Sequence, residues 1–159
     1  MTITPFALTG EGVRLVPRTA EDLEAILGAC QDPEIARWTT VPSPYTAADA
    51  RWFVDHSVAA WGKDTPSWSI HRVGDDTFLG VIDLMASGPR TWELGYWTSP
   101  AHRGCGHMSE AVALATQAAF TRLDAVRVQW SAMVGNWGSW KAVWRNGFRR
   151  EGVRRDVLD

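Results

Sequence analysis

Cysteine is scarce in this sequence: Cys30 and Cys105 stand far apart in 159 residues, outside any CxxC pattern. A disulfide framework or a zinc site is therefore not expected, which fits a reducing compartment. No apolar run approaches membrane-spanning length, and no basic-plus-apolar leader precedes Thr4-Pro5. A soluble, cytoplasmic protein without a membrane partner is the expectation. Positive charge is not in excess either. The net charge of −2 gives no electrostatic reason to expect nucleic acid as a partner. Internal repeats, low-complexity tracts and linkers are missing, so residues 1–159 read as one domain with a sizeable core. Tryptophan, by contrast, is in marked excess, with ten copies.

The order of elements reads as α/β. Val13 to Val16 makes a short first strand, and Thr19 with Asp22 marks a helix start that runs to about Gly28. Asp32-Pro33-Glu34 opens a short helical turn. Thr46 with Asp49 caps a second long helix, on which Ala50, Phe53, Val54, Ser57 and Trp61 share one face. Trp68 to Val73 and Phe78 to Met85 read as a hairpin joined at Gly74-Asp75-Asp76, and Trp92 to Thr98 continues the meander. A helix from about Met108 to Arg122 is apolar nearly all round and is expected to be deeply packed. Val128 to Ala132 is the next strand, and Ser139 to Asn146 a short helix ended by Gly147.

The richest stretch is Arg103-Gly104-Cys105-Gly106-His107-Met108, set between an aromatic strand and an alanine-rich helix. Glycine lets backbone N–H groups approach a ligand closely, and the helix start adds unpaired N–H groups and positive potential. The loop is suited to a phosphate or pyrophosphate. A P-loop would need Lys-Ser/Thr where His107-Met108 stands. A dinucleotide fingerprint would need a third glycine at Ser109 and an acid on the following strand, where none stands.

The loop resembles the acyl-CoA loop of the GNAT N-acetyltransferases, Gln/Arg-x-x-Gly-x-Gly/Ala, through Arg103 and Gly106. Met108 departs from the last position, as in the branch that acetylates ribosomal-protein N-termini, where Ser/Thr-Glu-Ala follows. Trp92-Glu93-Leu94-Gly95-Tyr96-Trp97 is similar to that branch's Glu-Ile-Gly-Tyr-Trp strand. Asn136-Trp137-Gly138-Ser139, Asn146-Gly147-Phe148 and Glu151-Gly152 are similar to its Asn-x-x-Ser…Gly-Phe…Glu-Gly segment. Val13-Arg14-Leu15 with Thr19-Ala20-Glu21-Asp22 resembles its opening strand and helix. The resemblance implies a mixed, mostly antiparallel sheet splayed near its middle, with helices on both faces. It also implies acetyl-CoA as cosubstrate, an amine acceptor and no metal. In that fold a last strand hairpins back after the Glu-Gly segment, whereas this sequence stops at Asp156-Val157-Leu158-Asp159. A missing strand, a partner's strand in its place or a shortened chain are the three expectations.

By the same resemblance, Tyr96, Trp97 and Thr98 contact the donor through their backbones, as do Arg103, Gly104, Cys105, Gly106, His107 and Met108. The Arg103 side chain adds charge, and Asn136 contacts pantetheine or phosphate through its amide. Glu93 is the candidate general base that takes a proton from the acceptor ammonium, with Asp83 on the neighbouring strand as its alternative. Ser139 is the candidate acid toward the departing thiolate, set against the plain role of an N-cap hydroxyl. Many GNAT enzymes use a Tyr one turn later, but Ala142-Val143-Trp144 occupies that stretch. Trp38, Tyr45 and Trp68 come from segments that line the acceptor cleft. Cys105 occupies a variable position of the motif, so transfer through an acyl-cysteine is not expected. Trp137, Trp140 and Trp144 lie at i, i+3 and i+7, a stripe that reads as core or as the surface of a homodimer. The expected activity is direct transfer of an acetyl group to a primary amine, foremost a protein or peptide N-terminus. A small-molecule amine acyltransferase and a non-catalytic acyl-CoA-binding protein are the alternatives. The acceptor, and acetyl against a larger acyl such as succinyl, stay open.

Overall fold

The computed structural model describes residues 2–155. A two-residue strand, β1 (Leu8–Thr9), which no sequence pattern announces, turns back onto β2 (Val13–Pro17). Thr19 and Asp22 form the expected capping box, but the turn they cap is a 3₁₀ segment, Ala20–Asp22, that leads into α1 (Leu23–Ala29). Proline at the first helical position opens α2 (Pro33–Trp38). A second capping box, Thr46 with Asp49, starts α3 (Ala47–Ala60), which buries Ala50, Val54 and Ser57. Then come β3 (Ser67–Arg72), β4 (Phe78–Gly88) and β5 (Thr91–Thr98), an antiparallel meander. The chain continues through α4 (His107–Arg122) to β6 (Arg127–Trp130) and α5 (Trp137–Trp144).

The six strands lie in sequence order in one sheet, antiparallel except for the parallel β5–β6 pair. Alternation along the strands divides the apolar residues between two cores, one on each face. On one face, Val13, Leu15, Trp68, Ile70, Leu84, Trp92 and Leu94 pack with Ala111, Val112 and Ala115 of α4 and with Ala142 and Val143 of α5. On the other, Val81 and Trp97 pack with Ile26, Ile35, Ala50 and Val54 from the first three helices. The expected sheet with helices on both faces is thus the observed one. α4 is not buried all round, however. Ala111, Val112, Ala115, Ala118 and Ala119 form one buried face, while Ala113 and Phe120 are exposed.

The splay is local and legible in the register. β6 pairs only with the first half of β5, from Thr91 opposite Arg127 to Leu94 opposite Trp130. From Gly95 to Thr98, β5 runs on beside β4 with its other edge uncovered. β6 is the outer strand of the sheet, and Arg149–Arg155 have no regular structure. The sequence-stop residues Asp156–Asp159 lie outside the described residues.

Candidate functional site

The uncovered half of β5 supplies the first element. Ser99 N–H donates to Leu79 O at 2.8 Å on β4. Peptide groups alternate along a strand, so the N–H groups of Trp97 and Gly95 also face β4. Those of Tyr96 and Thr98 face the other way, into the gap that opens where β6 ends. Trp97 therefore differs from the expectation: its N–H belongs to the β4 ladder and its side chain is buried in the second core. Gly80 makes this close approach of β4 possible, because a Cβ there would stand 2.3 Å from Trp97 O.

The second element is the loop after β5. Gly104 and Gly106 have φ of +76° and +79°, and no atom lies within 4 Å of where a Cβ would stand. Both positions therefore combine a left-handed backbone with open space above it. Gly106 is the N-cap of α4 and offers no side-chain acceptor to the first N–H groups of that helix. The one acid of the first turn, Glu110, points away and accepts from Gly12 N–H at 2.9 Å. An uncapped sixteen-residue helix behind an open glycine loop fits a phosphate or pyrophosphate. Arg103 does not reach over the loop. Its guanidinium binds Asp32 at 2.6 Å, at the start of α2, and that hydrogen bond foremost lowers the Asp32 carboxyl pKa. Cys105 is exposed at the rim, and His102 and His107 are half-buried beside it. The Cys105 thiol touches only Arg103 O, at 3.5 Å. Cys30 is sealed in the core, where burial pushes its thiol up to about 11.

A broad cleft of about 1460 Å³ forms the third element, lined by Asp83, Glu93, Gly95, Tyr96, Ser139 and Trp38 among others. Glu93 and Asp83 share the sheet face that looks toward α1–α3. Asp83 lies opposite Gly95, and Glu93 two residues back from Gly95. The carboxylates differ in their partners. Among the described residues Glu93 accepts one hydrogen bond, from the Gln129 amide at 2.8 Å. Asp83 binds Arg18 at 2.8 Å, and Arg18, 2% exposed, also donates to Ser57 Oγ and Trp68 O and lies over the Phe53 ring.

Ser139 is held by its backbone. Its N–H donates to Asn136 Oδ1 at 3.4 Å and its C=O accepts from Tyr96 Oη at 2.6 Å. Asn136, not Ser139, is thus the N-cap of α5. Of the Asn136 side-chain amide, expected to contact pantetheine or phosphate, Oδ1 is engaged in that cap. The Ser139 hydroxyl makes no hydrogen bond among the described residues. Burial raises the Tyr96 phenol pKa far above its usual value, against a smaller lowering by its bond to Ser139. The sequence reading assigned Tyr96 only a backbone role. Its side-chain tie to α5 spans 43 residues and leaves no local signal. Asn146 is a second such tie, donating from the end of α5 to Ser109 O of α4 at 2.9 Å.

Two acceptor-cleft expectations are corrected. Trp68 is fully buried, with its Nε1 donating to Phe6 O at 2.8 Å and its ring edge-on to Trp61 and Phe6. Tyr45 is buried beside Cys30 in the second core. Neither lines the cleft. Trp38 does line it, held by its Nε1 bond to Glu34 and close to Gly135, where a Cβ would stand 3.2 Å from its ring. The tryptophan stripe is not core. Trp137 and Trp144 are each 57% exposed, and Trp140 stacks on Trp144 at 5.6 Å.

The comparisons with known proteins agree with this geometry. A family model described as acetyltransferase (GNAT) domain matches residues 13–149. The Bacillus subtilis protein named Probable N-acetyltransferase YjcK is 33% identical over 91 residues, which is 55% of this chain and half the length of that relative. Mycobacterium smegmatis RimJ, solved with a CoA disulfide, superposes with a TM-score of 0.84 at 19% identity, covering 98% of this chain and 81% of that one. A Salmonella typhimurium acetyltransferase that modifies the N-terminal serine of ribosomal protein L7/L12 superposes at 0.85 with 18% identity, covering 97% and 91%. At such identities these two structures establish a shared fold. With the uncovered strand, the open glycine loop and the family match in place, the chain belongs to the GNAT family of acyl-CoA-dependent acetyltransferases.

Proposed function

We propose that this chain transfers an acetyl group from acetyl-CoA to the α-amine of a protein or peptide N-terminus, by direct attack within a ternary complex. The observation that carries the reading is the uncovered half of β5, with the N–H groups of Tyr96 and Thr98 facing the gap. Those groups hold the pantetheine arm and polarise the thioester oxygen, while the Gly104–Met108 backbone holds the pyrophosphate. The thioester supplies an activated acyl carbon. Glu93 takes the proton of the acceptor ammonium, directly or through water, and the free amine forms the new C–N bond as the C–S bond breaks. The Ser139 hydroxyl hydrogen-bonds to the departing thiolate. Cys105 has no part, because only its backbone belongs to the loop. Support for a peptide acceptor comes from the likeness to RimJ and to the L7/L12 enzyme, and from a cleft open enough to admit a chain end. Cytoplasmic location belongs to the same reading; among the described residues no helix is long and apolar enough to cross a membrane.

Thiol release from acetyl-CoA, measured across amino-terminal peptides, aminoglycosides and polyamines, tests the proposal. Turnover is expected with peptides. Turnover with small amines alone would move the chain to the small-molecule class, and CoA binding without any turnover would make it an acyl-CoA-binding protein. A homodimer across the exposed Trp137–Trp140–Trp144 stripe completes the reading. A light-scattering mass of one chain at micromolar concentration would remove it.

A further inference from the structure

We infer that the acceptor carries negative charge within a few residues of its amine, so that the preferred substrate is an acidic N-terminal segment. The inference rests on the peptide reading above and deepens it. Asp83 and Glu151, which line the cleft, are neutralised by Arg18 and Arg127, the latter pair at 2.7 Å. Glu93 is met by a neutral amide and by no cation among the described residues. Arg154 donates to the Ser131 hydroxyl at 2.6 Å, while Arg149 and Arg150 are exposed and without an ion-pair partner among the described residues. The cleft of a chain with net charge −2 thus presents one free carboxylate at its floor and unmatched guanidinium groups at its mouth.

Placement separates these arginines from the donor phosphates. Glu151 bridges to Arg127, which is in register with Thr91 at the start of β5. The glycine loop follows Thr98 at the other end, about 23 Å away at about 3.3 Å per residue. Arg154 reaches Ser131, one residue past the Leu94–Trp130 pair, and none of the loop residues lines the cleft. Glu93 on β5 and Gln129 on β6 are neighbours, and the segment carrying Glu151, which has no strand pairing of its own, is tied on through the side chains of Arg127 and Ser131. Glu93, Arg149, Arg150 and Arg154 line the same cleft, so the residues that follow an amine seated at Glu93 run within a wall that carries these guanidinium groups. Like-charged residues there are repelled, and carboxylates gain charge-assisted hydrogen bonds.

The test compares two synthetic peptides that begin with serine, one with Asp-Glu-Asp and one with Lys-Lys-Lys next. The acidic peptide is expected to have a kcat/KM about tenfold higher at low salt, as exposed pairs of modest strength allow. The gap should narrow at 0.5 M salt, where the Debye length is roughly 4 Å. Combining Arg149→Glu with Arg150→Glu should reverse the order while leaving CoA affinity by calorimetry unchanged. Equal kcat/KM for the two peptides in the parent enzyme would overturn the inference and leave the peptide reading standing. Loss of CoA affinity in the variant would assign the arginines to the donor instead, and also overturn it. Failure to acetylate either peptide would reject the peptide reading and this inference together. A small acceptor that pairs an amine with a carboxylate, run in parallel, shows whether free acidic amines are taken as well.

Discussion

Asp83 and Glu93 stand on the same face of adjacent strands, one step off direct opposition, at about 7–8 Å between backbones. One is bound to a buried guanidinium and the other to a neutral amide. Being on the floor of a cleft does not by itself make a carboxylate a base. An acid whose lone pairs already answer a buried cation cannot give them to a substrate without stranding that cation. Asp83 is thereby committed to the fold, and Glu93 is the carboxylate proposed to take the proton. The same contrast separates Arg18, enclosed by Ser57, Trp68 and Phe53, from the open arginines at the cleft mouth.

The largest effect that would break this comparison is on stability. Asp83→Asn leaves the Arg18 guanidinium buried without its counter-charge, and its Nε already lacks a partner. The expected loss is about 3 kcal/mol, read by urea unfolding. A variant as stable as the parent would show that Asp83 is free for another task. Next comes Glu93→Gln, which keeps the shape and removes the proton acceptor. Turnover should fall about a hundredfold with CoA affinity unchanged, and the deficit should shrink at high pH, where the amine loses its proton unaided. Parent-like rates near neutral pH would pass the role to Asp83 or to a water chain.

A smaller effect sharpens the site from its other side. Tyr96→Phe removes the hydroxyl that fixes Ser139 O, at a cost of about 1 kcal/mol, so kcat should fall about fivefold. In a Ser139→Ala background the same change should do nothing further. Additive losses would mean that Tyr96 acts apart from Ser139.

The smallest effect concerns a third carboxylate, Asp22, bound to His71 at 3.0 Å. Burial raises the Asp22 carboxyl, but the hydrogen bond and charge of His71 counter it, and the carboxyl is held low. The bond to Asp22 foremost raises His71. The His71 contribution is therefore full below its unfolded value, about 6.5, and is lost as pH rises through the higher folded value. The Asp22 contribution is full above about 3.9 and is lost as pH falls through its lowered folded value. Stability from this pair is thus greatest between roughly pH 4 and 6.5. His71→Gln should flatten the decline in melting temperature on the alkaline side. An unchanged pH profile would show that the pair contributes nothing.

What the sequence made legible was whatever is written locally. The capping boxes at Thr19 and Thr46, the glycine loop before α4 and the left-handed Gly147 after α5 are short-range patterns, and each stands where the pattern put it. The limits of elements shifted more, as with α5, which begins at Trp137 because Asn136 supplies the cap. Side-chain partners from distant segments were not legible. Arg18 meets Asp83 across 65 residues, so nothing near Asp83 announces that it is taken. Aromatic residues were legible only in part, since hydrophobicity does not say which side of an element meets the core: two expected in the cleft turned inward, and the stripe on α5 took the surface one of its two readings. Trp68 and Tyr45 went inside, whereas Trp137 and Trp144 stayed at the surface.

The alternation along β5 has a consequence for how such a slot is inherited. The contacts proposed for it with the donor are encoded in odd and even positions rather than in letters. Exchanging one side chain at Thr98 for another leaves the gap-facing N–H in place, and only proline deletes it. Proline at Tyr96 or Thr98 strips the slot and spares the ladder to β4, whereas proline at Trp97 cuts that ladder and spares the slot. A single strand thus carries two interleaved texts, one read by the fold and one by the cosubstrate. Random drift in side chains can rewrite much of the first without touching the second.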